Sequence, residues 1–149
     1  MRRTSAPGCW DQTSVAETVY VDTNVVLRYL LGAPADQAQV ARDLFRRAAV
    51  GELAIIIHPA VFAEVVYVMC SGRALGGKRA EVSPVLRDLV NLPGVATADR
   101  GLVLDALLRF EATGLDWVDA LMLAYAREAG VFSFDKAMQR AGARNPAPG

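Results

Sequence analysis

Cysteine and histidine are nearly absent from this chain. Its 149 residues include two cysteines, Cys9 and Cys70, and one histidine, His58. Two cysteines without metal-ligand spacing make no disulfide framework, and a single histidine excludes a multi-histidine zinc site. His58 follows Ile55-Ile56-Ile57 and precedes Pro59, so it reads as a strand-end residue at a turn rather than a catalytic base. An excess of one charge is absent too: Lys+Arg and Asp+Glu number 16 each. That balance argues against a passive nucleic-acid coat. It is compatible with a nuclease, whose carboxylates offset the basic residues of a groove. The basic candidates for such a groove are Arg42, Arg46, Arg47, Lys78, Arg79, Arg127, Lys136 and Arg140, most of which read as solvated helix faces. No apolar run is long enough to span a bilayer, and residues 1–17 lack the apolar core of a signal peptide. No membrane association is expected, and a cytoplasmic location follows by default.

Hydrophobic residues make up 53% of the chain, enough to bury one real core. Residues 1–17 have no periodicity and read as a disordered leader. Residues 18–141 read as one domain and residues 142–149 as a flexible tail. No internal repeat and no linker divides them. Strand and helix patterns alternate, the sign of a parallel α/β sheet. Strands are expected over 19–22, 53–57, 95–98 and 131–134. Helices are expected over 24–31, 35–50, 59–70, 78–91, 100–111 and 116–129. Ser83-Pro84 suggests a kink or a late start in the fourth helix.

Four acids stand alone in apolar surroundings. Asp22 ends the run Val19-Tyr20-Val21, at the rim where open α/β sheets bind ligands. Glu64 lies in Phe62-Ala63-Glu64-Val65-Val66, Asp119 in Trp117-Val118-Asp119-Ala120-Leu121, and Asp135 after Phe132-Ser133-Phe134. Buried carboxylates are costly unless paired or bound to a cation, so four of them suggest a shared metal site. Magnesium and manganese take such hard oxygen ligands, and carboxylates from different elements can surround an ion that activates water. Each acid also has a plainer role. Asp22 can cap the following helix, Glu64 can sit on a polar stripe, and Asp135 can open a turn. Asp116 suits an N-cap, which puts Asp119 in the first helical turn.

Taken in series, these segments resemble the PIN-domain proteins, and among them the VapC toxins of bacterial toxin–antitoxin pairs. The matching stretches are Val21-Asp22-Thr23-Asn24-Val25-Val26-Leu27-Arg28-Tyr29-Leu30, Phe62-Ala63-Glu64-Val65-Val66, Asp116-Trp117-Val118-Asp119-Ala120-Leu121 and Phe132-Ser133-Phe134-Asp135-Lys136. The resemblance covers residues 19–141. It implies a Rossmann-like, three-layer α/β fold with a mostly parallel central sheet flanked by helices. It also implies a Mg²⁺- or Mn²⁺-dependent endoribonuclease acting on RNA. Asp22, Glu64, Asp119 and Asp135 match the family's acidic quartet. Asn24 matches a polar position beside it, Ser133 stands where Thr is usual, and Asp116 adds an outer acid. The family further implies a homodimer and a small VapB-like antitoxin that enters the active-site groove. An apolar surface for that antitoxin is expected from Val26, Tyr29, Leu30, Phe45 and Tyr67. Beyond Asp135 no closing strand is evident.

Two other classes compete. A PIN-like module that binds RNA or protein without cleaving it has no need of four acids. A phosphatase on a similar fold would use an aspartyl nucleophile in a D-x-D pattern, and Thr23-Asn24 after Asp22 does not supply one.

Overall fold

The structure, a computed structural model, describes residues 17–72 and 77–147. Among them the elements are β1 (Glu17–Tyr20), α1 (Thr23–Leu31), α2 (Ala35–Ala49), β2 (Leu53–Ile56), α3 (Pro59–Cys70), α4 (Arg79–Val90), β3 (Val95–Ala96), α5 (Arg100–Thr113), α6 (Trp117–Ala126) and α7 (Lys136–Arg140). The three strands are parallel, in the order β1-β2-β3. The expected leader lies outside the described residues apart from Glu17, which opens β1.

The apolar run at 53–57 explains the central strand. Leu53, Ile55 and Ile57 are buried on one face, and Ala54 and Ile56 are half-buried on the other. A strand covered on both faces reads as continuous hydrophobe. The ladder runs past the strand ends, with Val21 N–H donating to Ile56 O and Ile57 N–H to Ala96 O. Parallel strands deliver their carboxyl ends to one rim, so Asp22 after β1 and His58 after β2 emerge on the same side. His58 opens α3: its Nδ1 accepts from Ala60 N–H at 3.1 Å, and Pro59 occupies the first turn. That is the structural role expected of this histidine.

In α2, Ala38, Ala41, Phe45 and Ala48 form the buried stripe, and the helix packs on β2 and β3. Its end meets the turn before β3. Gly94 there has a positive φ of 74°, and its carbonyl accepts from Ile55 N–H at 2.8 Å. Helix α4 runs unbroken from Arg79 through Pro84, without the late start expected from Ser83-Pro84. Pro84 removes one intrahelical donor. Burial of Val82, Leu86, Leu89 and Val90, and a bond from the fully buried Ser83 hydroxyl to Leu107 O, outweigh that loss.

Several expectations need correction. The strand over 131–134 does not form. Val131 O and Ser133 N–H pair with the backbone of Arg144 instead, leaving a single parallel bridge between Phe132 and Arg144. That pairing, with Ala143 buried, carries the packed unit past residue 141. Helix α6 stops at Ala126 because Arg127 takes a positive φ of 37°. The expected apolar surface is mostly core. Val26 and Phe45 are buried, Tyr29 stacks on Phe45 with ring centroids 4.1 Å apart, and Leu30 is half-buried. The short α1–α2 connection turns those faces toward each other. Only Tyr67 stays open, 74% exposed.

Candidate active site

Asp22 takes the N-cap position of α1. Its Oδ1 accepts from Val25 N–H at 3.0 Å, which ties the carboxylate to the helix start. The plainer role weighed for this residue is therefore realised, and it uses one oxygen. Thr23 follows. It is 8% exposed, and its hydroxyl donates to Glu64 Oε2 at 2.7 Å. This contact joins the β1–α1 corner to the middle of α3. Sequence inspection missed Thr23 as a site residue; its signal was a small hydroxyl side chain directly after a rim acid. Glu64 itself is exposed, carried outward while Phe62, Val65 and Val66 turn into the core. Asn24 is exposed beside Asp22.

The other two acids come from the end of the chain. Asp119 sits in the first turn of α6, half-buried. Burial raises its proton affinity above the usual carboxylate range, and the charges of Asp116 and Asp135 raise it further. Those like charges bring Asp119, Asp116 and Asp135 into one electrostatic group. Asp116 occupies the N-cap position of α6 as expected, but makes no capping bond with its side chain. Its carboxylate stands 3.7 Å from Arg79 Nη2. Asp135 caps α7, its Oδ1 accepting from Met138 N–H at 2.9 Å. Ser133 orients it from behind, its Oγ accepting from Asp135 N–H at 3.0 Å.

The quartet thus falls into two groups, Asp22 with Glu64 and Asp119 with Asp135. Packing of α3 on α6 relates them, with the rings of Phe62 and Trp117 6.3 Å apart. Among the described residues no three acidic, histidine or cysteine side chains form a ready-made ligand cage. Asp22, Glu64 and Asp135 each use one oxygen on a partner within the chain, and no described residue bonds the second. Hard, anchored oxygens, with that of Asp135 near an acid destabilised by its neighbours, are of the kind that suits a small divalent cation.

The chain belongs to the PIN-domain family: the family model for the PIN domain matches residues 19–144. The parallel three-stranded sheet with its helices is a PIN-like α/β fold. All four acids, with Asn24, Asp116 and Ser133, lie inside the matched span. PIN domains are in general nucleases, and as such use divalent metal ions. No match was found among curated proteins or among solved structures. Among the described residues no helix is long and apolar enough to cross a membrane.

Proposed function

We propose that this protein is a Mg²⁺- or Mn²⁺-dependent endoribonuclease, the VapC-type toxin of a toxin–antitoxin pair. One observation carries the enzymatic part: the Thr23 hydroxyl links Glu64 to the Asp22 corner. Four carboxylates from four elements, three of them fixed by a hydrogen bond, match the needs of metal-assisted phosphodiester hydrolysis. A bound divalent ion would supply an activated water and offset charge on the phosphate. Asp22, Glu64, Asp119 and Asp135 would be the residues that hold it. Burial and the charges of Asp116 and Asp135 make the ionised form of Asp119 costlier, and a bound cation would relieve that cost.

The test is cleavage of a labelled RNA with and without EDTA, beside a small phosphate ester. RNA should be cut only with Mg²⁺ or Mn²⁺, the ester should stay intact, and the same ions should raise the melting temperature. Full activity in EDTA would remove the metal from the mechanism. RNA binding without cleavage would favour the non-catalytic module.

The toxin part of the proposal gains support from a groove of about 390 Å³ between α1 and α2. Val25, Val40, Ala41 and Leu44 give it an apolar wall, and Asp22, Asn24, Arg28, Asp36 and Gln37 complete its lining. An apolar helix face from an antitoxin suits this groove, and a basic side chain on that helix would reach Asp22 and compete with metal. The homodimer implied by the family belongs to the same proposal. Co-expression tests the partner. The chain alone should arrest growth, and the protein encoded beside it should restore growth. Unchanged RNA cleavage with that neighbour in excess would overturn the antitoxin assignment and leave the nuclease standing.

A further inference from the structure

Asp119 is aimed by the first turn of α6, and that turn is held from outside the acidic group. Arg79, the first residue of α4, reaches across to it. Its Nη1 donates to Leu115 O, and also to Phe110 O at 3.3 Å. Its Nη2 stands 3.7 Å from Asp116 Oδ1, and its guanidinium carbon lies 4.5 Å from the centre of the Phe110 ring. Leu115 and Asp116 are the two residues that lead into α6. Burial of Leu115 and Trp117 seats the corner in the core, while among hydrogen bonds Leu115 N–H finds only Thr113 Oγ1, at 3.4 Å. An aspartate at an N-cap normally binds its own helix. Here Asp116 is turned toward Arg79 instead.

We propose that Arg79 is a positioning residue, whose guanidinium clamps the Leu115–Asp116 corner and so sets the direction of Asp119. The proposal rests on the metal-nuclease assignment for its consequence, though not for the clamp itself. A lysine cannot replace the fork, because one ammonium does not span two carbonyls, a carboxylate and a ring face. The clamp also differs in sign from a plain charge effect. A cation beside the acids competes with a metal, so losing its charge alone would tighten metal binding. Losing the clamp would misdirect Asp119 and weaken it.

The experiment uses the full chain and the variants Arg79→Met and Arg79→Lys. Hydrogen exchange in EDTA reads the clamp, and Mn²⁺ titration without RNA reads its effect on the acids. Both variants should exchange faster at the first hydrogen-bonded amides of α6, those of Ala120 and Leu121, with the amides around Glu64 unchanged. Both should bind Mn²⁺ about 10-fold or more weakly, the scale on which residues that orient a ligand act. Tighter binding in Arg79→Met with wild-type binding in Arg79→Lys would overturn the proposal in favour of charge alone. Faster exchange spread over the whole chain would overturn it in favour of general stability. Should Arg79→Met fail to fold, Arg79→Lys gives the same two readings. Wild-type protein that neither binds Mn²⁺ nor cuts RNA would sink the nuclease assignment, and the exchange result would then decide the clamp by itself.

Discussion

Asp119→Asn is expected to slow RNA cleavage by at least ~100-fold, about 2.7 kcal/mol of transition-state stabilisation. The substitution keeps the side chain's shape and removes the charge. The helix should tolerate it: Asp119 makes no capping bond, and Asn accepts and donates where solvent allows. Stability should hold or rise, because the carboxylate is partly desolvated and repelled by Asp116 and Asp135. A melting curve beside the rate measurement separates lost chemistry from lost fold. Asp22→Asn should behave alike, since asparagine is as good an N-cap as aspartate and α1 keeps its start. Asp116→Asn should be milder. Asp116 is more exposed than Asp119, and Arg79 stands 3.7 Å from its carboxylate. Equal loss at Asp116 with none at Asp119 would reverse the choice between the two acids.

Gly94→Ala should destabilise the fold more than any substitution at the acids. A methyl group there would land on the carbonyl of Ala48 at the end of α2, inside van der Waals contact. The obstacle is helix backbone, which cannot rotate aside as a long side chain can. The positive φ of 74° adds strain for any residue with a Cβ. The left-handed backbone costs about 1–2 kcal/mol, and overlap in a packed region about 1–3 kcal/mol or more. Gly94 also carries the bond to Ile55 that seats β3 on the sheet. Denaturant unfolding should show a fall in midpoint of that size. A change under about 0.5 kcal/mol, the scale of neutral surface substitutions, would show that the α2–β3 junction yields freely. Gly32→Ala is the contrast, because its Cβ meets nothing and only the backbone term applies.

Much of the architecture was legible because its signals are local. The solid run Leu53–Ile56, the 3–4 spacing in α2 and Pro59 at the first turn of α3 all set their elements within a residue or so. The acids stood out because each interrupts an apolar stretch. What escaped depends on contacts between distant segments. Phe132-Ser133-Phe134 alternates like a strand, yet a strand needs a neighbour, and Arg144 takes its hydrogen bonds instead. Tyr29 and Phe45 resemble a surface patch until α1 folds back on α2 and they stack. The Thr23–Glu64 bond spans 41 positions, and the Arg79–Leu115 bond 36. No periodicity reports a contact of that kind.

The two capped acids have a consequence for how affinity arises. Asp22 and Asp135 each spend one oxygen on the first free amide groups of a helix. Their rotamers are therefore chosen when α1 and α7 form. A flexible carboxylate surrenders that freedom only when its cation arrives, and the ion binds more weakly for it. If the proposed metal site holds, the ordering of Asp22 and Asp135 is completed at folding. On that proposal helix initiation and metal recognition share the same side-chain torsions, and fraying the start of α1 or α7 would blur the site.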